Sequence, residues 1–309
     1  MSSSHLPSSA FAIPYRRTAI TGRALDFLEL AKPRIGVFVT LVVLASCYVA
    51  TSGSCTWPTM LAASIGTLLV GASASGMNHW LERKLDQRMV RTASRPIAAG
   101  RITSFAALTF VAVTMAAGSS LLLCTDNSAA VLWGVGTWAA YVLIYTPLKT
   151  ISSWNTWFGA VAGAMPVLMG WSATGAELNA PILVLFAILV FWQLPHFMAI
   201  AWLYQDDYER AGHKMATVVD KTGRLAAWQA ISFAVLLVLL PLGLLAGSMS
   251  LPSLVAAGLL IALAAGQCWF AWQFFQNQNE QTSRALLLAS LLYLPATLPC
   301  ICLAAWPVA

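Results

Sequence analysis

The sequence predicts an all-α integral membrane protein, a bundle of nine transmembrane helices, on three observations. The first is composition: of 309 residues, 59% are hydrophobic and 9% are charged, against about 25% charged in an ordinary soluble domain. The second is segregation, because residues 35–81, 102–125, 127–148, 150–176, 178–205, 225–279 and 285–309 contain no Asp, Glu, Lys or Arg. About 20 apolar residues cross the hydrocarbon as a helix, so the first and sixth intervals hold two spans each and the others one. The third is sidedness. Counting connections outward from the N-terminus puts all 17 Lys and Arg on one side of the bundle, and the other side carries only Asp126 and Glu177. That bias places the N-terminus and the charged loops in the cytoplasm and the C-terminus outside. The net charge of +6 is then a topology signal. The medium is a lipid bilayer, and nucleic acid is excluded as the reason for the charge.

In chain order, residues 1–23 are Ser-rich and hold Arg16, Arg17 and Arg23 without an acid, which reads as a disordered cytoplasmic tail or as an organelle presequence. A bacterial inner membrane fits the first alternative and a mitochondrial inner membrane the second. Residues 24–309 form a single domain. Its first segment, ALDFLELAKPR, mixes apolar and charged residues and lies at the interface; Lys32 and Arg34 there reach an anionic ligand or snorkel to lipid phosphate. Spans one and two, 35–51 and 57–81, are joined by a polar turn, and span two carries the small residues Gly66, Gly71, Ala72, Ser73, Ala74, Ser75 and Gly76, which allow close approach. Spans three and four, 103–123 and 128–146, end at Tyr141 and Tyr145. Tyr145 reads as an interfacial aromatic or as a π face for an electron-poor substrate. Lys149 stands in a short cytoplasmic turn. Span five is irregular, with Asn155, Gly159, Gly163, Pro166 and Gly170. Span six, 181–203, contains Trp192, Gln193, Leu194, Pro195 and His196; a polar residue at membrane depth is a functional candidate, or a histidine bonded to a neighbouring backbone. Spans seven to nine, 226–247, 252–275 and 285–307, carry no acid or base between 285 and 307 or in their apolar cores and form wall. Of the cysteines, Cys47, Cys268, Cys300 and Cys302 are packing residues, and spacing alone does not pair Cys55 with Cys124.

The chemistry concentrates in residues 76–101. Asn78, Glu82 and Asp86 recur every four residues. If the helix of span two continues through them, each step turns about 40° beyond a full circle and rises about 6 Å, so the three side chains share one face. Arg88, Arg91 and Arg95 follow, before Pro96 limits the helix. A hard-cation ligand set thus stands beside an anion-binding set, a combination suited to a metal-bound phosphate or diphosphate. A second group of acids with a base, Asp206, Asp207 and Glu209 with Lys214, lies on the same side of the membrane. Spacing does not establish that the two groups meet.

Asn78, Glu82, Arg83, Asp86, Met89, Arg91, Thr92, Arg95 and Pro96 satisfy the pattern Asn-x3-acid-Arg-x2-Asp-x2-Met-x-Arg-Thr-x2-Arg-Pro. Tyr145 and Lys149, the 155–175 stretch, Trp192 to Phe197, and Asp207-Tyr208 with Ala211-Gly212 and Met215 follow in order. From about residue 24 to the last span, the chain resembles the UbiA superfamily of intramembrane prenyltransferases, in its heme-farnesylating branch. Two departures stand out. Glu82 occupies a place where the family has Asp, and Ala211 stands four residues after Asp207, where the wider superfamily repeats an acid.

The resemblance implies a UbiA-type bundle that transfers the farnesyl group of farnesyl diphosphate to the vinyl group of heme B, with water completing a hydroxyethylfarnesyl side chain. It implies Mg²⁺ held by Asn78, Glu82 and Asp86, with Asp207 and Asp206 opposite. Arg91, Arg95 and Lys149 then stabilise the departing diphosphate, and Arg83, Arg88 and Lys214 add basic contacts to it. Tyr145 faces the allylic cation, while Trp192 and His196 address the heme, His196 through its iron or by orienting the porphyrin. Association with heme A synthase or with terminal oxidase assembly is a further implied partnership. The rival acceptors are a quinone precursor or a chlorophyll-type ring, and a non-catalytic heme-binding protein is a third alternative. A transporter would distribute its acids through the membrane depth, whereas these sit at one interface.

Overall fold

The computed structural model describes residues 19–246 and 250–305, so most of the expected tail, residues 1–18, lies outside the described residues. The first helix, α1 (Ala19–Ala31), already takes in residues 19–23. It is tied down by charge and by apolar contact. Arg101 donates from Nε to Asp26 (2.8 Å) and from Nη2 to Glu29 (2.7 Å), and Leu30 packs fully buried with Ile97, Ile102 and Ala107. The chain then turns at Lys32, which takes the left-handed conformation (φ 50°, ψ 62°) just before Pro33 opens the first membrane helix.

All regular structure among the described residues is helical. The spans are α2 (Pro33–Ala50), α3 (Trp57–Asp86), α4 (Ser104–Leu123), and α5 (Ala129–Ala139) continuing through a π turn (Ala140–Tyr145) into α6 (Thr146–Ile151). Two short helices follow, α7 (Asn155–Ala164) and α8 (Pro166–Ala173), before α9 (Ala180–Leu203). The second charged loop contains α10 (Gln205–Ala211) and α11 (Ala216–Val219). The chain closes with α12 (Arg224–Leu239), which runs into a 3₁₀ segment (Leu240–Ala246), then α13 (Leu251–Gln276) and α14 (Glu280–Ala304). Eight of these spans are long and apolar enough to cross a bilayer among the described residues. The remaining expected span, span five, is the pair α7 and α8, divided at Met165, where Pro166 has no N–H to continue the ladder.

Neighbours in sequence pack side by side, α3 on α4, α12 on α13 and α13 on α14, and α14 also touches α2 and α9 to close the bundle. The small-residue run of α3 acts as its composition predicts: a Cβ on Gly118 of α4 would stand 2.8 Å from the Gly66 carbonyl oxygen, so only glycine permits this approach. Large apolar residues such as Phe105, Leu132 and Leu292 face outward, where lipid tails are their solvent. Asp126 on the far side accepts from Thr59 Oγ1 (2.9 Å). The six cysteines are free, and Cys47 donates to the Gly170 carbonyl within the bundle.

Candidate active site

The helix of span two continues without interruption through the periodic face, since α3 runs 30 residues to Asp86. Asn78, Glu82 and Asp86 are 1%, 4% and 0% exposed. Buried carboxylates need partners, and each finds a base. Lys149 donates from Nζ to Glu82 Oε1 at 2.7 Å. Arg95 donates from Nη1 to both Asp86 oxygens at 2.8 and 2.9 Å, and lies 3.9 Å from Glu82. Thr92 Oγ1 closes the loop by donating to the Asp86 carbonyl, and Asn78 Nδ2 donates to Thr146 Oγ1 at 3.2 Å.

Lys149 sits in the last turn of α6 instead of the short turn its sequence suggested. Pro147 lacks an N–H at the start of α6, and the widened π turn before it accommodates the mismatch and keeps the helix going. A lysine at a helix C-terminus also meets the favourable end of the helix dipole. Its Nζ lies 4.6 Å from the centre of the Tyr145 ring, which is 5.1 Å from the Tyr141 ring. Tyr145 packs directly on α7: a Cβ on Gly159 would stand 2.7 Å from its Cε2.

The two charged loops do meet. Asp207, near the start of α10, accepts from the backbone N–H groups of Val90 and Arg91, both at 3.3 Å, and pairs with Arg210. Burial opposes its ionisation, but the N–H donors of Arg91 and Val90 together with Arg210 outweigh it and hold the carboxyl below its ordinary range. Arg91 reaches back, donating to Tyr208 Oη (3.2 Å) with its guanidinium 4.8 Å from the Tyr204 ring.

Other expected contributors lie elsewhere. Asp206 is exposed, turned about 100° around α10 from the buried Asp207, and makes no ion pair with any described residue. Arg83 turns to Trp80, lying 4.6 Å from its ring and donating to its carbonyl. Arg88 is exposed. Lys214 serves through its backbone: its N–H donates to the Lys149 carbonyl and its carbonyl accepts from Asn155 Nδ2, while the side chain is exposed. Trp192 and His196 form a separate polar pair between α9 and α14.

Three groups enter the site that periodicity did not single out. His79, beside Asn78, is 2% exposed and neither ring nitrogen has a partner. His213 is 2% exposed with Nδ1 unpartnered, and burial first, then Lys149, Arg95 and Arg91, against the pull of Glu82, bring its pKa down to about 4. Lys32 had two readings; its ammonium lies in the field of Arg95, Lys149, Glu82 and Asp86, and burial followed by the two cations lowers its pKa to about 7. Sequence offers little signal for the histidines beyond His79 following a ligand-type residue.

No three His, Cys, Asp or Glu side chains among the described residues converge tightly enough to cage a metal ion. The donor set still fits Mg²⁺, which takes one or two carboxylates and completes its shell with water and substrate phosphate oxygens. Glu82, Asp86 and Asn78 offer such oxygens, with Lys149 and Arg95 beside them for an anion.

The UbiA prenyltransferase family model matches residues 38–294. The protoheme IX farnesyltransferase of Rhodopirellula baltica is 39% identical over 279 residues, covering 88% of this chain and 96% of that protein. That of Opitutus terrae is 40% identical over 281 residues, covering 88% and 92%. Among solved structures, a UbiA homolog from Archaeoglobus fulgidus bound to GPP and Mg²⁺ superposes with a TM-score of 0.68 at 13% identity, covering 89% of this chain and 99% of that one. At that identity the likeness is one of fold.

Proposed function

The chain belongs to the UbiA prenyltransferase family, and from that premise we propose that it transfers the farnesyl group of farnesyl diphosphate to a vinyl group of heme B, with addition of water, giving heme O and diphosphate. The observation that carries the transfer chemistry is the pairing of Glu82 with Lys149 and of Asp86 with Arg95 beside the Tyr145 ring. Heme as acceptor is supported by relatives at 39–40% identity that are protoheme IX farnesyltransferases. Asn78, Glu82 and Asp86 would hold Mg²⁺, which supplies Lewis-acid neutralisation of diphosphate charge. Lys149, Arg95 and Arg91 take the diphosphate oxygens, favouring the state in which negative charge gathers on the leaving group. The Tyr145 and Tyr141 rings border the allylic cation, whose charge an aromatic face stabilises. His196 ligates the heme iron. The multi-pass protein sits in a bacterial cytoplasmic membrane with this face inward, as the Lys and Arg distribution supports.

Purified protein incubated with heme B, farnesyl diphosphate and Mg²⁺ should yield a pigment heavier by one hydroxylated farnesyl group. Heme bound but unchanged would point to a non-catalytic heme carrier. Transfer to a quinone precursor or chlorophyll-type ring in its place would overturn the acceptor.

Lys32 predicts a pH signature. Its side chain is cationic below about 7 and neutral above, and a diphosphate prefers the cation. Affinity for farnesyl diphosphate should therefore fall as pH rises through 7, by up to about tenfold per unit, one proton being the limit. The diphosphate's own last ionisation acts in the opposite sense, so the comparison is with Lys32→Arg, which keeps its charge. Titration of binding from pH 6 to 9 should show a steeper loss in the natural protein than in Lys32→Arg; parallel curves would remove Lys32 from the site.

A further inference from the structure

The pair formed by Trp192 and His196 meets α14 at one residue. Ser290, fully buried, donates its single hydroxyl proton to the Leu287 carbonyl in its own helix at 2.6 Å, a local bond that serines in membrane helices favour. His196 Nδ1 lies 2.9 Å from the same oxygen. A hydroxyl whose proton is committed can only accept, so the network assigns the proton between them to Nδ1. A neutral imidazole carries one proton, and Nε2 therefore holds a lone pair. No group among the described residues hydrogen-bonds Nε2, and His196 is only half-buried.

The ring is also fixed in orientation. Trp192 stacks on it, with centroids 5.4 Å apart and planes at 23°, and donates from Nε1 to the Ser290 carbonyl at 2.7 Å. Phe197 also meets the ring edge-on at 5.5 Å. Ser290 thus anchors the histidine through its hydroxyl and the stacking partner through its carbonyl. Had the proton been on Nε2, the hydroxyl would have to turn from Leu287 to Nδ1, and Nε2 could no longer ligate a metal.

We propose that Ser290 is the positioning residue that locks His196 in the Nδ1–H tautomer and directs Nε2 at the iron of bound heme. This rests on the assignment of His196 as the iron ligand. An Nδ1–H bonded to an oxygen makes the imidazole a stronger donor, and loss of such a partner typically lowers metal affinity 10–100-fold.

The test is spectroscopic, on full-length protein with ferrous heme B in detergent micelles. Ser290→Ala and Ser290→Val both remove the hydroxyl, so a folding failure in one leaves the other. Each should lower the iron–histidine stretching frequency and weaken heme binding about tenfold or more. Ser290→Thr, which restores the hydroxyl, should return both values toward those of the natural protein. His196→Ala should abolish the stretching band. If His196→Ala abolishes it and the hydroxyl-free variants leave it unmoved, Ser290 does not position the ligand and the ligand assignment stands. If His196→Ala leaves the heme spectrum unchanged, both ideas fail.

Discussion

Asp86→Ala should abolish heme O formation, lowering turnover by about 10³-fold or more, while heme B still binds. Asp86 is 0% exposed and both its oxygens accept from Arg95. On the proposed mechanism, removing the carboxylate withdraws a metal donor, and it leaves the Arg95 cation facing a hole. The first loss is felt in the transition state, where a single electrostatic stabiliser in a dry site is worth about 10²–10³ in rate and a metal contributes several kcal/mol more. The second is a stability cost of order 3 kcal/mol, because an ion pair has been broken from one side. Heme B retention, read from the absorption spectrum, separates them: a variant that holds heme and does not turn over has lost chemistry. Asp86→Asn keeps the shape and a hydrogen-bond acceptor for Arg95, so it should recover stability with little recovery of rate. Turnover of Asp86→Ala within a factor of a few of the natural protein would reject the metal role.

The face that Asp86 shares with Asn78 and Glu82 was legible because helical periodicity is local. Once α3 was granted to run past the membrane, its geometry followed from spacing alone. The placement of the spans was legible for a similar reason, since charge at membrane depth is costly and loops must carry what the spans cannot. What sequence left open was partner choice. Lys149 lies 67 residues from Glu82, and Asp207 lies more than 100 from the N–H groups it binds. Nothing local distinguishes Lys149, whose side chain enters the site, from Lys214, which contributes only backbone. Asp206 and Asp207 are adjacent and both acidic, but α10 turns one to water and the other to the loop of Arg91. Span five was expected to be irregular, and its division at Met165 and Pro166 is the form that irregularity takes.

The other large effect falls on Lys149. Its side chain is 13% exposed and bonds a carboxylate that is 5% exposed, so the pair is screened little by solvent. Lys149→Met should reduce turnover about 10²–10³-fold, the scale for losing one charged donor to a leaving group. Its metal dependence should move in the opposite direction from that of Glu82→Gln. A metal held by Glu82, as proposed, would compete with Lys149 Nζ for the oxygen that the lysine now bonds, so removing the lysine should leave the half-saturating Mg²⁺ concentration equal or lower. Glu82→Gln removes the oxygen's charge and should raise that concentration severalfold. Stability should behave as a coupled pair: each single variant leaves one buried charge uncompensated, and the double variant should be less destabilised than the two losses added, by about 1–3 kcal/mol. Lys149→Arg is not a silent exchange, because a planar fork replaces a point charge beside Tyr145, and intermediate turnover is expected. Additive losses in the cycle, or a Mg²⁺ requirement that rises in Lys149→Met, would show that the lysine acts on the fold and not on the diphosphate.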